Sequence, residues 1–177
     1  MADAKQGSRK ADPPSSGRVV AGFPAPQHAH DHCVADALAA ADRVCAARGA
    51  RLTALRRTVL EIIWSRHAAI GAYDILDLLR ERGRSAAPVT IYRTIEFLLG
   101  MGLVHRIESL NAFIDCGAPG EPHRGQFLIC SRCRTVAEIA DEGSLARLEA
   151  DAKRLDFAAE RITVEVLGLC AACRAPA

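Results

Sequence analysis

The chain has 177 residues, half of them hydrophobic and a quarter charged, with a formal net charge of +2. That length allows about one to two domains, and the composition is ordinary for a soluble globular protein. No uncharged apolar run approaches the ~18 residues needed to cross a bilayer, which excludes a membrane span.

Residues 1–32 are expected to form a flexible tail, because 1–27 are rich in Ala, Pro, Gly, Ser and charge and bury too little apolar surface to offset ordering. The tail's Asp3, Lys5, Arg9, Lys10 and Asp12 leave no apolar stretch for a secretory signal. The expected location is therefore the cytoplasm, where paired cysteines bind metal more often than they form disulfides. At the tail's end, His28-Ala-His30-Asp-His32-Cys33 is a metal-capable tract with nothing to fix its geometry.

A helix is predicted from about Val34 to Arg48, with Leu38, Ala41 and Cys45 on one face and Gly49 as its stop. Thr53 is the expected N-cap of a second helix bearing Leu55, Val59, Ile62 and Ile63 at helical spacing. A third spans Ala72 to Arg82, with Ile75, Leu78 and Leu79 inward and Gly83 at its end. The fourth, from Val89 to Met101, buries Ile91, Ile95, Leu98 and Leu99 and points Tyr92, Arg93 and Glu96 outward. Two alternating runs, Leu103–Glu108 and Ala112–Cys116, read as a β-hairpin. Three helices and a hairpin make a winged helix-turn-helix, with the fourth helix as the reading element.

Beyond the hairpin, strands are predicted at Gln126–Ile129, Val136–Ile139 and Ile162–Leu169, with a helix at Leu145–Leu155. The expected fold is α+β. A winged-helix DNA-binding domain at 33–110 precedes a small α/β dimerisation and metal-binding domain at 111–177. Charge divides accordingly, with eleven basic against eight acidic residues in 33–110 and eight against ten in 111–177. That asymmetry is compatible with DNA contact in the first unit and self-association in the second.

The strongest chemical signal is the doubled Cys-x-x-Cys, Cys130-Ser-Arg-Cys133 and Cys170-Ala-Ala-Cys173. Each pair has the spacing of a zinc knuckle, and two knuckles close a four-sulfur tetrahedron with no position left for substrate. A redox dithiol needs only one pair, so the duplicated spacing favours a structural zinc. His105, Cys116, His123 and Glu138 form a looser set suited to a second tetrahedral zinc. Spacing alone leaves that open: a histidine on a hairpin and a cysteine at a strand end also serve as ordinary surface and core residues.

Arg93 could offer two parallel donors to a purine edge in the major groove, with Thr90 and Tyr92 on phosphates. The plainer reading of Arg93 is a solvated helix face. Asp77 and Arg80, three apart, can pair on one helix or meet the same residues of an adjacent dimer. Arg51, Arg56 and Arg57 are candidates only for DNA-backbone charge.

From about Ala40 to Cys173 the sequence resembles the ferric uptake regulator superfamily. The resemblance is carried by Arg51-Leu-Thr, Ala72-Tyr-Asp-Ile-Leu-Asp-Leu-Leu-Arg80, Val89-Thr-Ile-Tyr-Arg93, Phe97-Leu-Leu, Gly102-Leu-Val-His105 and Gly168-Leu-Cys-Ala-Ala-Cys173. It is similar above all to the zinc-sensing branch. That resemblance implies His105, Cys116, His123 and Glu138 as the regulatory zinc ligands and places Tyr73 near DNA.

The iron and peroxide branches carry a His- and Asp-rich run before the first knuckle. Here that place reads His123-Arg-Gly-Gln-Phe-Leu-Ile-Cys130, which argues against an iron, manganese or peroxide sensor, the alternative on this scaffold. The resemblance thus implies a homodimeric, zinc-responsive repressor of zinc uptake genes. It would hold two Zn2+ per chain and bind double-stranded operator DNA, with a second dimer on the same operator as an option. A zinc enzyme would need an open coordination position and a pocket. Neither an HExxH nor a nucleophile elbow is in the sequence, so no enzymatic activity, small-molecule substrate or membrane partner is expected.

Overall fold

The computed structural model describes residues 17–23, 30–66 and 68–175. Helices α1 (His30–Ala47), α2 (Ala54–Trp64), α3 (Ala72–Glu81) and α4 (Pro88–Gly100) lie within a residue or two of their predicted bounds, except that α1 starts earlier. Local chemistry explains their ends. The Thr53 hydroxyl accepts from the Arg56 N–H at 3.5 Å and caps α2. Pro88 stands at the first turn of α4, where a missing N–H is harmless. Gly49 and Gly83, at φ 63° and 69°, turn the chain out of α1 and α3 through the left-handed region.

The stripes read from the sequence meet in one core. Cys45, Val59, Ile62, Ile63, Ile75, Leu79, Ile91, Ile95 and Leu98 are buried together, and Leu38, Leu55, Leu78 and Leu99 pack partly buried against them. Each fully buried aliphatic side chain contributes about 1.5–3 kcal/mol, so this cluster is what holds the helices. A hairpin of β2 (Val104–Ile107) and β3 (Ala112–Asp115) closes the core through Val104 and Phe113. Its register pairs Val104 with Asp115 and Ile107 with Ala112 across a 3-10 turn at Glu108–Leu110. The hairpin therefore straddles the expected division at 110/111.

A second sheet has strand order β1-β5-β4-β6, formed by β1 (Arg18–Ala21), β4 (Gln126–Cys130), β5 (Val136–Ala140) and β6 (Val164–Gly168). Strands β4 and β5 are antiparallel, and β6 runs parallel to β4. Helix α5 (Glu142–Arg154) intervenes, capped by the Asp141 carboxylate on the Gly143 N–H at 3.0 Å. The one-turn α6 (Ala171–Arg174) ends the fold. A smaller core of Ile107, Ile114, Phe127, Ile129 and Val136 joins this sheet to the hairpin.

The structure departs from expectation at β1, which lies inside the stretch predicted as tail. Composition averaged over 1–27 hides a short β-branched run bounded by glycines, Gly17-Arg-Val-Val-Ala-Gly22. It pairs antiparallel with the edge of β5, Ala21 opposite Glu138. Arg18 reaches Glu121 at 3.0 Å. Residues 1–16 and 24–29 of the predicted tail and the side chains of the His28–Cys33 tract lie outside the described residues.

Candidate metal centres and DNA-reading face

The first knuckle is a tight turn at the end of β4. The Arg134 N–H donates to the Cys130 carbonyl at 2.9 Å and the Cys130 N–H to the Thr135 carbonyl at 2.9 Å, with Arg134 at φ 61°. The second knuckle opens α6. The two are pinned together by the Ser131 N–H on the Gly168 carbonyl at 2.8 Å and by Arg132 on the Cys173 carbonyl at 2.6 Å. The four sulfurs lie within 4.8 Å of one another.

Their protonation is arranged unequally. The N–H groups of Cys133 and Cys170 hold the Cys130 thiol down at about 6. The Thr135 hydroxyl, 2.9 Å from the Cys133 sulfur, lowers that thiol too. Burial, together with the neighbouring sulfurs, pushes Cys173 up to about 12. Four thiolates at one point repel one another unless a cation sits among them, and the donor set suits a soft divalent ion such as zinc.

The second cluster draws on three parts of the chain. His105 comes from β2, Cys116 follows β3, His123 lies in the connecting loop and Glu138 is on β5; their donor atoms also fall within 4.8 Å. The Glu138 carboxylate is 3% exposed. Its Oε2 accepts the Gly117 N–H at 3.0 Å, while its Oε1 lies 2.7 Å from His123 Nε2 and 2.8 Å from His105 Nε2. His123 Nδ1 is 2.9 Å from the Glu121 carbonyl oxygen. A carbonyl can only accept, so Nδ1 carries a proton and Nε2 is the nitrogen turned toward Glu138 and the cluster.

His105 Nε2 approaches the carboxylate without hydrogen-bond geometry and is a buried polar nitrogen with no directed partner. Burial pushes the Cys116 thiol up to about 12. For Glu138, burial acts upward, but the adjacent His105 imidazole, the Gly117 N–H and His123 together outweigh it and hold the carboxyl below its ordinary value. An orphaned buried nitrogen, an aimed second imidazole, a buried thiol and a carboxylate at one point fit a tetrahedral zinc. A cavity of about 650 Å³ lined by His105, His123, Glu149, Lys153 and Phe157 opens onto the cluster.

Two of the DNA-reading candidates line one groove. Tyr73, at the start of α3, is 69% exposed, and Tyr92 on α4 is exposed beside it; both line a 260 Å³ groove. Thr90 and Arg93 are also exposed. Among the described residues, the Arg93 side chain has no ion pair or hydrogen bond. Arg56 and Arg57 are already engaged: Arg56 lies 3.4 Å from the Phe97 ring centre, and Arg57 is forked onto Asp42 at 2.6 and 2.8 Å. Asp77 and Arg80 form an exposed ion pair at 2.6 Å within α3. Sequence reading missed Arg134, which lines the groove with the two tyrosines although it belongs to the cysteine turn. Its only sequence signal is its place between two cysteine ligands and a strand.

The Ferric uptake regulator family is matched over residues 47–167. The "Zinc uptake regulation protein" of Escherichia coli (strain K12) is 42% identical over 137 residues, spanning 77% of this chain and 80% of that relative. Among solved structures, "Zinc Uptake Regulator Complexed With Zinc AND DNA" superposes with a TM-score of 0.75 at 41% identity, covering 79% of this chain and 94% of that one. "Crystal structure of holo XcZur" superposes with a TM-score of 0.71 at 42% identity, covering 79% and 97%.

Proposed function

The chain belongs to the ferric uptake regulator family, and from that premise we propose that it is a zinc-responsive, DNA-binding transcriptional repressor. It silences zinc uptake genes when zinc is plentiful and acts by binding rather than by turnover. Residues 33–110 with the hairpin serve DNA reading, and 111–177 serve dimerisation and metal binding. Two zincs bind per chain. One is structural on Cys130, Cys133, Cys170 and Cys173, and one is regulatory on His105, Cys116, His123 and Glu138.

The observation that carries this reading is the convergence of those last four donors from hairpin, link and sheet. A zinc ion bound there supplies a tetrahedral cross-link among the three. His105 then holds the hairpin, and Glu138 holds the sheet, at one relative angle. In a homodimer that angle sets the distance between the two α4 helices, which must match about 34–36 Å of DNA or a multiple. Arg93 reads a purine edge, while Thr90, Tyr92 and Tyr73 hold the backbone.

The dimer reading is supported by β6, an edge strand of the sheet among the described residues, where Val166 and Leu167 are exposed, and by exposed Leu148, Leu155 and Phe157. When two dimers share an operator, Asp77 and Arg80 of adjacent dimers exchange partners. The protein works in the cytoplasm; among the described residues no helix is long and apolar enough to cross a membrane.

His105→Ala tests the reading cleanly, because His105 Nε2 has no directed hydrogen bond to lose. The variant should fold, keep the cysteine-bound zinc and lose zinc-dependent DNA binding in a gel-shift titration. Binding equal to the parent protein would contradict the proposal.

A further inference from the structure

The sheet register lines up three side chains in one cross-strand row. Phe127 on β4 pairs with Glu138 on β5 and with Glu165 on β6, and paired residues project from the same face. At one end of the row, Glu138 meets His105 and His123. In the middle, the Phe127 ring packs 5.2 Å from the His105 ring centre. At the other end, Glu165 Oε1 accepts the Glu108 N–H at 2.6 Å and Oε2 accepts the Ser109 N–H at 3.0 Å.

Those two N–H groups open the 3-10 turn joining β2 to β3, where backbone donors lack partners and a negative charge is favoured. Arg161, just before β6, adds an ion pair to Glu108 at 3.0 Å. The dimensions agree. Three residues of extended chain from His105 to Glu108 span about 10 Å, and two strand spacings from Glu138 to Glu165 also span about 10 Å. The hairpin therefore lies across the sheet and is held at both ends. Beside the apolar packing of Ile107 and Ile114 on the sheet, these two polar attachments at opposite ends oppose pivoting of the hairpin.

We infer that Glu165 is a positioning residue, a metal-independent anchor against which closure of the four-donor site turns the hairpin and its DNA-reading helix. The inference rests on the proposed function and assigns Glu165 the regulation of that same site. Because β6 is also an edge strand among the described residues and exposes Val166 and Leu167, the anchor joins the hairpin directly to the strand proposed to meet the second copy. Part of the chain population is thereby held in the angle that zinc selects, and apparent zinc affinity falls when that fraction is reduced.

The test is a zinc titration of DNA binding, using a duplex selected from a random pool by the zinc-loaded parent protein. Glu165→Ala should raise the zinc concentration at half-maximal binding about tenfold, as expected for losing charge-assisted hydrogen bonds. Glu165→Gln, which keeps one acceptor, should fall between. The cysteine-bound zinc should stay in place, and DNA affinity at saturating zinc should remain within a few fold of the parent. An Ala midpoint within twofold of the parent overturns the inference. So does fast hydrogen exchange at the Glu108 and Ser109 amides of the parent protein holding only its cysteine-bound zinc, a readout that needs no variant. Failure to select any zinc-dependent duplex would instead strike the proposed function.

Discussion

Glu138→Gln separates the fold's need for this side chain from the metal's. The carboxylate serves two sides at once: Oε2 takes the Gly117 N–H at 3.0 Å, and Oε1 faces His123 and His105 at 2.7 and 2.8 Å. A glutamine has one carbonyl oxygen and can serve only one side. Left on Gly117, it turns its amide NH2 toward both imidazoles and fills the point where zinc would sit. Hydrogen bonds to charged groups contribute about 1.5–3 kcal/mol each. The metal-free variant should therefore lose about 2–3 kcal/mol, or about 4–12 °C in melting temperature for a chain of this size.

The loss in zinc affinity should be larger. Removing even an outer partner of a metal site costs about 10–100-fold, so removing the carboxylate itself should exceed about 100-fold. Competition against a chromophoric chelator reads the exchangeable zinc, and a parallel melt reads stability. Affinity within threefold of the parent would refute the placement of Glu138 among the ligands.

Other outcomes follow from the same geometry. Cys173→Ser should release the structural zinc and melt the β4–β6 unit, since such sites contribute about 10–16 kcal/mol of coupled folding energy; retained circular dichroism with one zinc fewer would oppose this. Gly117→Ala places a Cβ 2.8 Å from Ala21 Cβ and 3.1 Å from Val20 Cγ1, an overpacking of about 1–3 kcal/mol. It should free β1, seen as lost amide protection at 18–21, and unchanged protection there would count against the packing described.

Glu165 supplies a pH dependence. Burial acts upward on its carboxyl, but the Ser109 hydroxyl and the Ser109 and Glu108 N–H groups outweigh it and hold the carboxyl below its ordinary value. Its contribution is therefore present above the unfolded carboxylate range, about 4.3, and is lost as pH falls through the lower folded value. Glu108 lies beside it and is itself paired to Arg161 and Arg106. Amide protection at Glu108 and Ser109 should persist at pH 5 and collapse only well below pH 4. Collapse above pH 5 would contradict the bonding.

The helices and the sheet were legible because their signals are local. Ile91, Ile95 and Leu98 repeat at helical spacing, Thr53 caps, and Cys-x-x-Cys is a short-range motif. Convergence of His105, Cys116, His123 and Glu138 was not legible from spacing, since it depends on how the hairpin lies on the sheet; only resemblance suggested it. β1 was hidden because a four-residue strand takes its stability from an edge of β5 that lies 120 residues away in sequence. Glu165 gave no signal at all: an alternating strand with an acidic residue reads as a solvated face until its register opposite Phe127 is known.

The central claim is that an exchangeable zinc, distinct from the cysteine-bound one, licenses DNA binding. Protein first stripped to one zinc per chain by mild chelation should be titrated with zinc while metal content and binding to a selected duplex are read together. The account predicts that DNA binding rises with uptake of the second equivalent and saturates with it. Full DNA binding by the one-zinc protein, or uptake of the second zinc without gain in binding, would contradict it.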